Sequence, residues 1–142
     1  MVDREILATR LARLREALRK LEGIASRSLA EYLASEVDRA LSEHYLRIAL
    51  EAMLDSGNHV ISAEGYRKPL HLRDIPAILA EEGVIPRELA ERLCRSVGLR
   101  NRLVHGYSTI DHEILHGILR TDLRDLADFA QAVARRYRPE LA

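Results

Sequence analysis

Leucines at positions 7, 11, 14, 18 and 21 recur at alternating steps of four and three. On a helix of 3.6 residues per turn that spacing gathers them into one narrow stripe, with Arg10, Arg13, Glu16 and Arg19 on the other faces. Such a stripe has to be covered by other apolar surface. Five positions fall short of the sustained heptads of a long coiled coil, so the partner surface is expected within a helical bundle rather than a zipper. Gly23 is the expected end of this helix.

The rest of the chain offers matching helices. A long second helix is expected from Ser28 to about Asp55, with Leu29, Leu33, Val37, Leu41, Tyr45 and Ile48 inward. Ala30, Ala34, Ala40, Ala49 and Ala52 widen its apolar surface, and Ser56-Gly57-Asn58 reads as its stop. Residues 57–73, with Gly65 and Pro69 and no clear period, read as a loop. Asp74 can cap a short third helix that tolerates Pro76 in its first turn and ends at Gly83. Pro86 opens a fourth helix bearing Leu89, Leu93, Val97 and Val104, ending near Gly106. Ser108, Thr109 or Asp111 can cap a fifth, with Ile114, Leu115, Ile118, Leu119, Leu126, Phe129, Ala130 and Val133 inward and Pro139 beyond its end. Asp122 interrupts that stripe as a local polar contact or exposed edge. No segment alternates like a strand. The expectation is an all-α chain, one antiparallel bundle of four to five helices forming a single domain over residues 1–142.

Length and composition agree: 142 residues with 47% hydrophobic content can bury a core, which excludes wholesale disorder. Lys+Arg 22 balances Asp+Glu 22. That excludes coating a polyanion by bulk charge and confines any such contact to a local patch. All basic residues but Lys20 and Lys68 are arginine, a bias explained most simply by genomic base composition or a hot habitat. The single cysteine, Cys94, has no partner for a disulfide or a zinc site, which fits a reducing compartment. The charged N-terminus reads as neither signal peptide nor membrane span, so a cytoplasmic protein with no membrane partner is expected.

Chemistry-bearing residues crowd one place. In Gly98–His112, Arg100, Asn101, Arg102, His105 and Tyr107 fall at the end of the fourth helix. Cations there complement the negative end of the helix dipole, which is an ordinary structural reason for Arg100, Arg102 and His105. Tyr107 could likewise pack its ring at the bundle edge. Five positions on a regular helix rotate by roughly 140°, so Arg100 and His105 meet only if the helix end unwinds at Gly106 or if two chains share the site. Chemically the set suits RNA cleavage. The 2′-hydroxyl is an internal nucleophile, so a base, an acid and a cation on the phosphorane suffice, and histidine and arginine supply them without a metal. His112 and His116 are an i, i+4 pair but lack a third zinc ligand at a familiar spacing. His44, His59 and His71 have no such companions. Asp38, Arg39, Glu43 and Arg47 are spaced for a solvated, ion-paired helix face, or could line the cleft if that face meets the motif helix.

The run Arg100-Asn101-Arg102-Leu103-Val104-His105-Gly106-Tyr107 resembles the R-N-x-x-V-H-x-Y signature of HepT-like proteins, in the HEPN superfamily of helical ribonucleases. The resemblance extends from about Ser28 to Arg136. It implies a homodimeric, metal-independent RNA endonuclease, the toxin of a toxin–antitoxin pair, requiring no cofactor and favouring tRNA. The implied partner is a minimal, MntA-like nucleotidyltransferase antitoxin that transfers AMP to Tyr107. Carried over by residue, Arg100 binds the scissile phosphate, His105 moves protons, Asn101 orients the motif, and Arg102 adds an accessory contact to RNA phosphate. The alternative is a non-catalytic module or antidote subunit that docks on such a nucleotidyltransferase and regulates it. A ribonuclease should show a basic cleft around Arg100, Arg102 and His105; a docking module should show an apolar patch, with the motif side chains tied up internally.

Overall fold

The computed structural model describes residues 1–105 and 110–142, and the side chains of all of these except 103–105. Among the described residues there are seven α-helices and no strand: α1 (Arg4–Ala25), α2 (Leu29–Ala34), α3 (Glu36–Glu64), α4 (Asp74–Glu81), α5 (Arg87–His105), α6 (His112–Thr121) and α7 (Leu123–Tyr137), then a 3₁₀ turn, Pro139–Leu141. No helix among them is long and apolar enough to cross a membrane.

The leucine stripe of α1 packs as expected. Leu7, Leu11, Leu14, Leu18 and Leu21 are all buried, chiefly against α3 and then α7. Asp3 caps α1 by accepting from the backbone N–H groups of Glu5 and Ile6, and the helix runs past Gly23 to Ala25.

The expected second helix is two helices. Ser28 and Glu31 form a capping box that starts α2. Ser35, in extended conformation, then ends α2 and caps α3 by accepting from the Asp38 N–H. The break changes which stripe faces the core. Tyr32, Leu46, Ala49, Leu50 and Met53 are buried, whereas Leu29, Leu33, Val37 and Leu41 remain 36%, 39%, 66% and 37% exposed. Both stripes are apolar at helical spacing, so periodicity alone does not rank them.

Nor does α3 stop at Ser56-Gly57-Asn58. Ser56 turns its hydroxyl back onto the Ala52 carbonyl at 2.7 Å, and Gly57 is buried where α4 crosses. An added Cβ there would lie 2.6 Å from Ile75 Cγ2 and 3.1 Å from Leu79 Cδ1. The glycine is a point of close helix approach. The true stop is Gly65, whose φ of 71° only glycine adopts cheaply. Gly83 (φ 74°) ends α4 as the sequence implies, with the Val84 N–H reaching the Leu79 carbonyl at 2.8 Å.

Asp74 begins α4 but does not cap it. Its carboxylate turns back to accept the Leu70 and His71 N–H groups at 3.0 and 2.9 Å, pinning the preceding loop. The expected fifth helix bends at Asp122, which closes α6 and opens α7. Asp111 is the cap chosen for α6, accepting from Glu113 and Ile114 N–H. Along α6–α7 the inward residues are buried or half-buried except Ile114, which is 60% exposed.

Candidate functional site

Helix α5 packs across α3, α4 and α7, and Leu89, Leu93, Val97 and Leu99 anchor it in the core. That anchoring fixes the directions of Arg100, Asn101 and Arg102. Arg100 faces α3, where its Nη2 lies 3.6 Å from Glu51 Oε1. On the same carboxylate Arg47 Nη1 lies 3.4 Å from Oε2. Two guanidiniums thus share one acid, and all three side chains are about a quarter to a third exposed. Arg100 Nη1 also donates to Asn101 Oδ1 at 3.2 Å, while its Nε is buried without an acceptor. The arrangement leaves one net positive charge on the two guanidiniums, which suits capture of an anion.

Successive residues on a helix turn by about 100°, so the neighbours of Arg100 point elsewhere. Asn101 lines a groove between α5 and the loop at Leu70–Arg73. Arg102 is exposed and borders a separate crevice with Leu99, Ile110, Asp111 and Ile114. Among the described residues, Arg100 and Arg102 therefore do not share one cleft. Helix α5 stays regular through His105, so the roughly 140° offset between Arg100 and His105 stands. The His105 side chain, and Gly106 and Tyr107 altogether, lie outside the described residues, as does the expected helix end near Gly106.

The polar face of α3 is partly committed to structure. Asp38 pairs with Arg27 at 3.2 Å, Arg39 donates to the Leu33 carbonyl, and Glu43 meets His112 Nε2 at 3.1 Å. The His112 and His116 pair is also explained. His116 Nε2 sits 2.8 Å from the Arg27 carbonyl, and both rings lean on Tyr32, at 6.1 and 5.1 Å between centroids. Tyr32 is buried, with its hydroxyl 2.8 Å from Ser42 Oγ, and burial pushes its phenol above the usual range. These contacts tie α2 and α6 to α3, the helix whose Glu51 meets Arg100. Among the described residues no three His, Cys, Asp or Glu side chains gather to hold a metal ion.

Glu51 is the site residue that sequence reading missed. Its only signal is the i, i+4 spacing from Arg47, which ordinary surface pairs share. Arg47, read as a member of a solvated face, turns out to adjoin Arg100 through that carboxylate.

The comparisons with known proteins agree with one another. Residues 14–133 match the family described as Ribonuclease HepT-like. The chain is 31% identical over 110 residues to a "tRNA nuclease HepT" of Aphanizomenon flos-aquae, covering 78% of this chain and 75% of that protein. It is 30% identical over 88 residues to an "mRNA nuclease HepT" of Shewanella oneidensis, covering 62% and 66% respectively. In fold it resembles a tri-AMPylated HEPN toxin of Shewanella oneidensis solved in complex with an MNT antitoxin. There the TM-score is 0.83 at 22% identity, covering 92% of this chain and 97% of that one. The cytosolic protein YutE of Bacillus subtilis superposes with a TM-score of 0.83 at 24% identity, over 99% of this chain and 94% of that one.

Proposed function

Since the chain belongs to the HepT-like ribonuclease family, we propose that it is an RNA endonuclease toxin whose site is shared between two copies of the chain. The observation that carries this reading is the placement of Arg100: half-buried and held against α3 by Glu51. The helix that bears it remains regular to His105. On that regular backbone positions 100 and 105 lie roughly 140° apart around the helix, and a twofold axis would let the Arg100 of one protomer and the His105 of its partner serve one phosphate.

The exposed stripe of Leu29, Leu33, Val37 and Leu41 supplies a surface for that dimer. Isolated apolar residues on a surface are ordinary, but a contiguous set on adjoining helices is a contact surface. Glu51 lies farther along α3 and holds Arg100 of α5, so a dimer built on α3 would carry two such sites.

In this mechanism Arg100 donates its guanidinium fork to the non-bridging oxygens and stabilises the charge that grows on the phosphorane. His105 serves in proton transfer, taking the 2′-hydroxyl proton or protonating the 5′-leaving oxygen. The 2′-oxygen attacks its own phosphate and leaves a 2′,3′-cyclic phosphate and a 5′-hydroxyl end. Asn101 orients Arg100, and Arg102 adds a phosphate contact at a distance. The antitoxin is a minimal, MntA-like nucleotidyltransferase that passes AMP from ATP to the Tyr107 hydroxyl. The added phosphate and purine, two residues from His105, would compete for Arg100 and repel RNA. Transfer RNA is the proposed substrate.

Purified wild type, Arg100→Ala and His105→Ala protein incubated with total RNA in EDTA test this directly. Cleavage by wild type alone, leaving cyclic phosphate ends, is expected; cleavage that survives His105→Ala would sink the mechanism. The apolar stripe also suits a docking module that regulates the nucleotidyltransferase. No cleavage by any of the three proteins, with no AMP found on Tyr107 by mass spectrometry, would favour that reading instead.

A further inference from the structure

A groove of about 770 Å³ runs along α5 beside the Leu70–Arg73 loop, and nothing in the mechanism above uses it. One end is Asn101, the residue hydrogen-bonded to Arg100. Its lining also includes Arg95 from α5 and His71 and Arg73 from the loop. Its floor is open at Gly98, where an added Cβ would meet nothing within 4 Å.

Three features make this groove more than a surface crease. First, its charge is of one sign: Arg73 and Arg95 are exposed and enter no ion pair among the described residues. The acid next to the loop, Asp74, is turned onto the Leu70 and His71 N–H groups, and those hydrogen bonds hold its carboxyl below the usual range. Second, the loop wall is fixed rather than draped, because the same two bonds set its path and Ile75 behind it is buried against Gly57. Third, the groove includes Asn101, which accepts a hydrogen bond from the candidate catalytic Arg100 at 3.2 Å. From Arg95 to Asn101 is six helical residues, about 9 Å, room for a short stretch of strand.

We propose that this groove seats the RNA strand on one side of the scissile phosphate, with Arg73 and Arg95 contacting successive backbone phosphates. The inference rests on the ribonuclease reading. It also places selectivity mainly in backbone path and access, since the groove lining holds no Phe, Tyr or Trp and His71 is its single ring for base stacking.

The test uses His105→Ala protein as a non-cleaving background and a fluorescein-labelled single-stranded oligoribonucleotide as the probe, titrated over a range of NaCl concentrations. Arg73→Ala with Arg95→Ala should weaken binding by about tenfold at moderate salt. The slope of log affinity against log salt should fall by about 1.4, or ~0.7 per lost phosphate contact on a single strand. Arg73→Lys with Arg95→Lys should restore the slope. Arg120→Ala with Arg124→Ala, on α6 and α7 and outside the groove lining, should change neither quantity. Unchanged affinity and slope in the Arg73/Arg95 alanine variant overturns the groove, as does a variant that binds RNA normally but loses only its protein partner. The two readings fail differently. If wild type cleaves RNA while the double alanine variant binds as its parent does, the groove alone is wrong. If wild type cleaves nothing and the His105→Ala protein binds no RNA, the ribonuclease reading falls and the groove with it.

Discussion

Replacing Gly57 by alanine is expected to destabilise the protein, although the usual rule for a helix interior points the other way. In an exposed helix, alanine is better than glycine by about 1 kcal/mol because it confines the unfolded backbone. Here the new methyl would sit 2.6 Å from Ile75 Cγ2 and 3.1 Å from Leu79 Cδ1, about 1 Å inside the optimal separation of ~3.5–4.0 Å in the first case. Both neighbours are buried, at 3% and 0% exposed. Ile75 is β-branched and cannot simply rotate the offending methyl away. Overpacking of this kind costs about 1–3 kcal/mol. With α4 forced off α3 the upper half of that range applies, leaving a net loss of about 1–2 kcal/mol after the propensity gain. For a chain of this length that is a drop of roughly 2–8 °C in Tm. Thermal melts followed by circular dichroism would measure it against Gly117→Ala, which lies exposed in α6 with nothing within 4 Å of an added Cβ and should raise Tm. The double variant Gly57→Ala, Ile75→Ala removes the clashing methyl, so alanine at 57 should become neutral or favourable in that background. Gly57→Ala protein that melts at or above the wild-type temperature would refute the close-approach argument.

Other consequences follow from the site and its surroundings. Glu51→Gln leaves Arg47 and Arg100 facing each other without their shared carboxylate; kcat for RNA cleavage should fall about tenfold with KM changed little, and stability by about 1 kcal/mol. Wild-type kcat in that variant would show that Arg100 needs no such support. Leu33→Asp with Val37→Asp should convert a dimer to a folded monomer in analytical ultracentrifugation and abolish cleavage, whereas an unchanged sedimentation coefficient would remove this face from the dimer. Tyr137 concerns alkaline stability. Burial first, and the neighbouring Tyr66 next, push its phenol up to about 12. A raised folded value means stability present below the unfolded value near 10 and lost as pH climbs from there towards about 12. Tyr137→Phe, which removes a buried hydroxyl, should flatten that alkaline loss in melts between pH 9 and 12 and cost little at neutral pH.

What the amino-acid sequence determined by itself was the helical class and the place where chemistry is concentrated. Helix periods are local, and so are the helix start at Ser28, the capping residues before α6, of which Asp111 is used, and the left-handed glycine after α4. The motif from Arg100 to Tyr107 was legible because unlike polar residues at fixed spacing are not what dipole complementarity alone requires. Three matters were decided only by tertiary structure. Which of two apolar stripes on residues 29–53 enters the core depends on what packs against them, so Leu33 and Val37 could not be told from Leu46 and Leu50 by period. Whether Gly57 breaks a helix or admits a neighbour depends on α4 crossing above it. And Glu51, nearly fifty residues before Arg100, became part of the site only when α5 was laid across α3, because ion pairing acts through space while sequence spacing reports only neighbours along the chain.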